Sequence, residues 1–530
     1  MFDVIIVGCG VAGVASAYEF ASNGVRVCLL DVGYQSGEEK NIEENFYAYG
    51  AQNDSFGLTI GCNFEGLYNL DASHKAIPAK LCAPNMGFVI QKAGELGPVR
   101  GKNFSAVQSF AKGGLANAWG AGLYRYTENE LDGFPLQLAE LNPYYDKLTG
   151  LIGICGQEDD LAFSFGSAAD LQRPLRLSRN AAILHRHYQR KREKFNRQGV
   201  FVGRPRLGIL TEDKDGRAAC DYSNLEFWQA NLPYIYTPAM TLDQMIADSQ
   251  VDYRPNILVT AWHREKDDIV IHGKDLAQNG MVEFRCKYLL LAAGPINTAK
   301  IVLQTKRDFK SRLSLLDNPC LIFPIIFPSQ IGRALETDSF GLTQLNIIWD
   351  RAIQDRIVQG SILEVTSPAR AEFFASMPLA ARDNLRLIKY MLPAMLALQV
   401  FFPADMCSVN ALSLCSDGTL EIEADDERID KQAISKIIRT VRQLGGWCFP
   451  RIVVHNPKGY GIHYAGTLPM RSIPSGNYEC NPYGELFGEP NVFVVDGSVF
   501  PRLPAKNYSF TVMANAMRIA GYIIDKIRMN

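Results

Sequence analysis

Six consecutive residues near the start of the chain have the spacing of a phosphate-binding loop. Residues 8–13 read GCGVAG and so fit the pattern G-x-G-x-x-G. In that pattern Gly8 permits a tight turn, Gly10 lets the backbone approach a pyrophosphate, and Gly13 lets a helix pack closely on a strand. Asp31 follows 18 residues after Gly13, close to the distance expected of a carboxylate that accepts ribose hydroxyls. These residues predict a dinucleotide site at the start of a helix, where free N–H groups face phosphates.

The segments around this loop predict an α/β sheet. Residues 2–7 are apolar and rich in β-branched side chains, residues 11–23 have a helical pattern, and residues 25–30 form a second apolar strand. A strand, a glycine loop, a helix and a strand in this order open a doubly wound sheet. Further buried strands are predicted at 287–293 and 492–495, each followed by a helix. Since these strands lie at the beginning, middle and end of the chain, the domain that they build is discontinuous.

Composition excludes several classes of protein. The 530 residues are too many for one hydrophobic core, and 54 Lys and Arg against 56 Asp and Glu leave no basic field to attract nucleic acid. The 12 cysteines include no C-x-x-C pair. His185 and His187 point in different directions on a predicted basic helix, so no metal site is expected there. Because the first strand begins at residue 2, no signal peptide fits before it, and a cytoplasmic protein is expected.

Only one convincing glycine fingerprint occurs in the sequence. A flavoprotein reductase that takes electrons from NADPH through its own second Rossmann domain would need another. If the bound dinucleotide is FAD, its electrons are therefore expected to come from the substrate.

Further segments, in a consistent order along the chain, carry a family resemblance. They read KGGLANAWG at 112–120, FP…ELNPYY at 134–145, LLLAAGPINTAKIVLQ at 289–304, HYAGT at 463–467 and VFVVDGSVFPRLPAKNYSFTVMANAMRIA at 492–520. With the N-terminal fingerprint, these segments resemble those of the glucose–methanol–choline (GMC) oxidoreductases, a family that binds FAD. The stretch from about 311 to 445 resembles little of that family.

The resemblance implies an α/β fold with two domains. A discontinuous Rossmann-type FAD-binding domain would comprise residues 1–130, 211–310 and 450–530. An α+β substrate-binding domain built on an antiparallel sheet would comprise residues 131–210 and 311–449. The residues that the resemblance assigns to FAD binding are Gly8, Gly10, Val11, Ala12, Gly13, Asp31, Gly113, Gly114, Asn117, Ala118, Ala293, Gly294, Asp496, Gly497, Ser509 and Phe510.

One departure from the family bears on how FAD is held. Members that attach FAD covalently through a histidine have that residue in the glycine-rich loop, near Asn117 and Ala118. This chain has alanine at position 118, so a histidyl link from that site is excluded and non-covalent FAD is expected. A second departure, Leu468-Pro469-Met470 after the HYAGT segment, leaves the details of the loop over the active site open.

Two residues are predicted to be catalytic. Alcohol oxidation needs a base for the hydroxyl proton and an acceptor for the hydride, and a neutral histidine and flavin N5 suit these tasks. Among seven histidines, His463 alone lies in the family's H-x-x-G-T context. Asn507, 44 residues later, aligns with the family's second catalytic position, which is His or Asn. An amide can hold the substrate oxygen by a hydrogen bond but cannot act as a base, so His463 would be the sole base.

The expected reaction is FAD-dependent oxidation of an alcohol, with a sugar, a glycoside or a polar secondary metabolite as the substrate. Oxygen or another carrier would accept the electrons. The alternative is a lyase of the same family that keeps its FAD redox-silent. The oligomeric state stays open.

The segment 385–402 is apolar nearly all round. A buried helix or a subunit contact is favoured for it over peripheral contact with a membrane, and it is expected to cover either the substrate entrance or a subunit contact. It is too short and too interrupted to span a bilayer.

Overall fold

The computed structural model describes residues 2–37, 42, 44–53, 55–70, 77–166, 170–365, 380–426 and 428–529. The strands of this part of the chain form three sheets. In chain order they are β1 (Phe2–Val7), β2 (Val27–Leu30), β3 (Val99–Lys102), β4 (Val200–Gly203), β5 (Val251–Arg254), β6 (Ile257–Glu265), β7 (Asp268–Asp275), β8 (Gly280–Leu291), β9 (Leu313–Asp317), β10 (Cys320–Ile326), β11 (Thr343–Ile353), β12 (Arg356–Glu364), β13 (Met395–Phe401), β14 (Asn410–Leu414), β15 (Leu420–Glu423), β16 (Val454–His455), β17 (Tyr464–Ala465) and β18 (Val492–Val494).

The α-helices of the described residues connect and cover these strands. They are α1 (Val11–Ser22), α2 (Phe46–Gln52), α3 (Phe56–Thr59), α4 (Ala93–Leu96), α5 (Leu138–Ile152), α6 (Ala162–Phe165), α7 (Arg179–Arg190), α8 (Arg192–Arg197), α9 (Pro238–Ala247), α10 (Pro295–Lys306), α11 (Ala381–Met391), α12 (Lys431–Gln443) and α13 (Ser509–Met529).

The first sheet carries the glycine fingerprint. Strands β5, β2, β1 and β8 lie side by side and parallel, and β18 also pairs in parallel with β8. The first half of β8 instead pairs antiparallel with β7, which continues to β6. All seven strands fall within 1–130, 211–310 and 450–530, while the boundaries of the two domains stay a prediction. Parallel strands present their carboxyl ends at one edge, where ligands of such sheets bind.

The second sheet is antiparallel throughout, in the order β16, β10, β13, β12, β11 and β4. Along β13, Leu398 and Val400 enter a hydrophobic core with helices α7 and α12. The alternate residues Ala397, Gln399 and Phe401 face a large cavity. This period-two alternation means that one face of the sheet packs and the other lines the site. A third, five-stranded sheet contains β17, β9, β14, β15 and β3.

The apolar segment 385–402 is not a single helix, so that interpretation of the sequence was wrong. Helix α11 ends at Met391, a 3-10 turn spans Leu392–Ala394, and β13 begins at Met395. Pro393 lacks a backbone N–H and so cannot continue the helix, and the residues beyond it alternate between core and cavity. That alternation explains an apolar pattern without a helical period. Among the helices described, none is both long and apolar enough to span a bilayer.

Candidate active site

A cavity of about 1340 Å³ lies where the carboxyl ends of β1 and β8 meet the open face of the second sheet. Of the 18 residues predicted for the cofactor and for catalysis, all but three line it. Those that line it are Gly8, Gly10, Val11, Ala12, Asp31, Gly113, Gly114, Ala118, Ala293, Gly294, His463, Asp496, Gly497, Asn507 and Ser509. The other three, Gly13, Asn117 and Phe510, lie behind its wall.

The turn after β1 has the shape that a dinucleotide requires. A Cβ at Gly13 would lie 1.9 Å from the carbonyl oxygen of Gly8, so a side chain there would displace the turn. Gly8 has a φ of +96°, a conformation that favours glycine. A Cβ at Gly10, in contrast, would meet no atom within 4 Å, and Gly10 lines the cavity. The space in front of Gly10 is therefore open to a pyrophosphate at the start of α1.

Asp31 follows β2 directly and reaches the cavity wall. The thiol of Cys9 and the hydroxyl of Tyr253 both donate to its Oδ2, at 2.7 Å and 3.5 Å. Burial raises the pKa of Asp31 to about 6, so the group is still mainly ionised at pH 7. A carboxylate beside the glycine turn fits the role of an acceptor for ribose hydroxyls.

The glycine-rich loop at 112–120 is held in shape by Asn117. Its Nδ2 donates to the carbonyl oxygens of Lys112 and Gly114, at 2.9 Å and 2.8 Å. The Asn117 side chain thus turns toward its own loop, and the neighbouring Ala118 faces the cavity. The Asn117 side chain therefore holds the loop in shape, and its contact with a cofactor stays a prediction.

Asp496 joins the ends of two neighbouring strands of the first sheet. Its Oδ2 accepts hydrogen bonds from the Gly294 N–H at 2.9 Å and the Thr298 hydroxyl at 2.6 Å. Its Oδ1 accepts from the Ser498 N–H at 2.9 Å. Burial raises the pKa of Asp496, whereas these hydrogen bonds lower it. The carboxylate therefore fixes the two turns that form this side of the cavity.

His463 lies half-buried in the cavity wall, just before β17. Its Nδ1 is 3.0 Å from Oδ1 of Asn318. The amide of Asn318 is oriented by its own donor group, because Nδ2 donates to the carbonyl oxygens of Phe402 at 2.8 Å and Pro504 at 3.0 Å. Since Asn318 must then accept with Oδ1, Nδ1 of His463 carries the proton. Nε2 is left as the unprotonated nitrogen.

Aromatic rings hold the imidazole on two sides. Phe401 stacks on His463 with ring centroids 4.5 Å apart, and Tyr508 meets it edge-on at 5.5 Å. Burial lowers the pKa of His463 to about 4, so the ring is neutral at pH 7. The arrangement gives a neutral imidazole with a defined tautomer and a restricted orientation.

Asn507 lines the same cavity and precedes α13. Within the described residues its buried Oδ1 has no hydrogen-bond partner. A Cβ at Gly122 would lie 3.2 Å from Nδ2 of Asn507, so the absence of a side chain at Gly122 leaves room beside the amide.

Phe510 points away from the cavity and packs against Tyr145, with ring centroids 5.0 Å apart.

Sequence reasoning missed several residues that line this cavity or contact its lining. Asn318 lies in the stretch without family resemblance, and a lone asparagine between Asp317 and Pro319 resembles an ordinary turn. Phe401 lies in the apolar segment 385–402, where its sequence context does not distinguish it from its apolar neighbours. Lys80 also lines the cavity, donates to the Trp119 carbonyl, and has its pKa lowered by burial to about 7.

Comparison with known proteins agrees with this geometry. Residues 452–516, which contain both His463 and Asn507, match the family model described as GMC oxidoreductase (GMC_oxred_C). This match agrees with the resemblance to GMC oxidoreductases that the sequence segments carry. The chain is 34% identical over 105 residues to a C-glycoside 3-oxidase of Microbacterium trichothecenolyticum, and 30% identical over 105 residues to one of Arthrobacter globiformis. Each match spans 20% of this chain and 20% of the relative.

A solved structure shows a likeness of fold over nearly the whole chain. Pyridoxine 4-oxidase from Mesorbium loti superposes with a TM-score of 0.60 and 13% sequence identity, covering 99% of each chain. This similarity confirms the predicted fold class of a Rossmann-type α/β domain with a second, antiparallel sheet.

Proposed function

We propose that this chain is an FAD-dependent enzyme that oxidises the CH–OH group of a small polar alcohol. FAD, when bound, supplies the acceptor for a hydride at flavin N5. The open space in front of Gly10 and the nearby carboxylate of Asp31 support a dinucleotide in the cavity. Alanine at position 118 supports a non-covalent cofactor.

The observation that carries the catalytic assignment is the defined tautomer of His463. Its Nδ1 is engaged by Asn318, and its depressed pKa keeps Nε2 an unprotonated acceptor at pH 7. We infer that Nε2 takes the proton of the substrate hydroxyl while the hydrogen on the same carbon leaves as a hydride. The products of that step would be a carbonyl compound, a protonated His463 and a cofactor reduced by the two electrons of the hydride.

Asn507 is proposed to hold the reacting oxygen. Its Nδ2 has no acceptor among the described residues, and Gly122 leaves space beside it. A hydrogen bond from this amide to the oxygen becomes stronger as negative charge develops there, which favours the transition state over bound substrate.

The proposed substrates are sugars, glycosides and similar polar alcohols. Two relatives that match one fifth of the chain are named C-glycoside 3-oxidase, and the structural neighbour is named pyridoxine 4-oxidase. All three are named as oxidases, so oxygen is the electron acceptor to test first and another carrier is the second.

Anaerobic mixing of the FAD-loaded protein with candidate alcohols tests this proposal. D-glucose, a C-glycoside and pyridoxine are each added while oxidised-flavin absorbance is followed, with His463→Ala as the matched control. Loss of absorbance in the wild type, slowed in the variant, supports alcohol oxidation. Conversion of an alcohol without loss of absorbance would support the FAD-containing lyase. Neither bleaching nor conversion with any alcohol would overturn the proposal.

A further inference from the structure

A row of polar side chains crosses the second sheet from β11 to β13. Asn346 on β11 is the cross-strand partner of Ser361 on β12, and Ser361 is the partner of Gln399 on β13. Directly opposed residues of an antiparallel pair project from the same face of a sheet. Ser361 and Gln399 line the cavity, so the row lies on the cavity face.

Hydrogen bonds leave complementary groups of this row available. The Tyr124 hydroxyl donates to Oδ1 of Asn346 at 2.8 Å, and Nδ2 of Asn346 donates to the Ser361 hydroxyl at 3.0 Å. Because the Ser361 oxygen receives this bond, its own proton is free to be donated. Gln399 donates Nε2 to the Cys320 sulfur at 3.4 Å, and no donor within the described part of the chain reaches its amide oxygen. Sulfur is a weak acceptor, so Gln399 is only partly satisfied.

The wall around these two side chains is mostly apolar. Leu363 and Ala397 line the cavity from the same two strands and Ile322 and Pro324 from β10, and the polar residues Thr343, Glu364 and Asn456 line it as well. Ser361 and Gln399 are therefore among a few polar groups in a largely hydrophobic surface, which is the usual design of a site that recognises a polar ligand by a few oriented groups.

The row ends beside each of the two proposed catalytic residues. A Cβ at Gly122 would lie 2.9 Å from the Tyr124 ring and 3.2 Å from Nδ2 of Asn507, so these two side chains border the same small space. At the other end, Gln399 and Phe401 face the cavity from one strand, and Phe401 stacks on His463. The row thus spans the wall between Asn507 and His463.

We propose that Ser361 and Gln399 bind the hydroxyl groups adjacent to the one that reacts, so that the substrate class is a ring with neighbouring hydroxyls. This inference rests on the proposed function of the same cavity. Ser361 donates to one ring oxygen and Gln399 accepts from another hydroxyl, while His463 and Asn507 address the reacting oxygen. A substrate lacking one of these hydroxyls leaves a buried polar group unpaired and binds more weakly.

Binding of D-glucose and of each monodeoxy-D-glucose to the FAD-loaded protein tests this assignment by calorimetry. The wild type is expected to bind D-glucose roughly tenfold or more tightly than at least two of the deoxy sugars. In Gln399→Leu, one of these deoxy sugars is expected to bind as tightly as D-glucose. In Ser361→Ala, the same is expected of a different deoxy sugar. Each variant should still bind D-glucose more tightly than the remaining deoxy sugars. Gln359→Leu is the matched control, since Gln359 lies on the same strand as Ser361 without lining the cavity.

The outcomes separate this inference from the proposed function. Variants that bind and discriminate like the wild type would overturn the assignment, as would a wild type that binds no polyol while other alcohols reduce its flavin. If the deoxy sugars bind with the expected differences in affinity but no alcohol reduces the flavin, the polar row would be supported and the proposed alcohol oxidation would be overturned. Thermal unfolding and retained flavin show whether each variant is folded. If Gln359→Leu also loses the difference in affinity between D-glucose and the deoxy sugars, the assignment of that difference to Ser361 and Gln399 would be wrong.

Discussion

The two sides of the cavity are built in different ways. On the side of the first sheet, steric demands concentrate in one short turn, where Gly8 and Gly13 touch and Gly10 faces open space. On the side of the second sheet, the polar side chains come from segments that are far apart in the sequence. Ser361 and Gln399 become neighbours only when β12 pairs with β13, and Asn318 reaches His463 from the turn between β9 and β10.

This difference suggests that the two sides tolerate change unequally. The cofactor side depends on backbone geometry, which a single side chain can block. The substrate side depends on hydrogen bonds, each of which contributes a modest amount and can be replaced. Substitutions on the two sides should therefore differ in the size of their effect and in the quantity that they change.

The largest effect is expected for Gly10→Val. The backbone at Gly10 is open to an L side chain, with a φ of -73°, but the branched side chain would occupy the space proposed for the pyrophosphate. FAD affinity should fall on the order of a hundredfold or more, measured as flavin retained after gel filtration. The thermal stability of the FAD-free protein should change little. Gly13→Ala is the comparison, because its Cβ meets Gly8 and should destabilise the FAD-free protein. Retention of full flavin by Gly10→Val would contradict the assigned site.

His463→Ala is expected to slow flavin reduction by roughly a hundredfold or more while leaving flavin binding unchanged. The wild-type rate should fall as the pH drops toward the His463 pKa of about 4, because the protonated ring cannot accept a proton. A change near pH 7 would instead report the pair of Lys80 and Glu226, because burial lowers the pKa of Lys80 to about 7 and raises that of Glu226 to about 7, and Lys80→Met should alter it. Stopped-flow reduction across pH measures both. A wild-type rate in His463→Ala at saturating substrate would place the base elsewhere.

Asn507→Ala is expected to cost on the order of tenfold to a hundredfold in the same rate, as one hydrogen bond that strengthens with charge on the oxygen. The losses in Asn507→Ala and His463→Ala should not add fully in the double variant, because both groups act on one oxygen. Fully additive losses would show that the two residues act independently.

The smallest effect is expected for Asn318→Ala. Without this acceptor, His463 can adopt either tautomer. The rate of flavin reduction should therefore fall about tenfold, with little change in the substrate concentration that gives half the maximal rate. An effect on substrate affinity with an unchanged rate would assign Asn318 to structure instead of positioning. Asn410→Ala, which removes a buried amide that contacts Asp317 beside Asn318, controls for general loss of packing.

Much of the cofactor side could be predicted from the sequence because its signal is local. The glycine spacing, the strand before it and Asp31 lie within about thirty residues, and each has a steric or electrostatic reason to be there. The same logic does not tell that Asn117 and Phe510 stand outside the cavity lining, since a motif gives the loop or helix but not the direction of each side chain. Which motif residues face the ligand depends on the turn that the folded chain adopts.

The substrate side could not be predicted because its signal is distributed. The segment 385–402 has no regular period, since a helix end and a strand follow one another across Pro393. Asn318 and Gln399 are single polar residues among apolar ones, and only strand register reveals their neighbours. His463 was predictable through its motif, whereas the amide that sets its tautomer was not.

The pairing of β8 has a consequence for how the chain is made. Val4 pairs with Tyr288, and Leu290 pairs with Phe493, so the central strands of the first sheet wait for partners from the far end of the chain. Pairings so remote in sequence carry a high entropic cost of loop closure and slow folding. During synthesis on the ribosome, β1 would expose an unpaired apolar edge until β8 has emerged, and β8 would expose one until β18 has emerged; such edges bind chaperones or other nascent chains. The yield of this protein in a cell should therefore depend more on chaperone supply than on the stability of its finished fold.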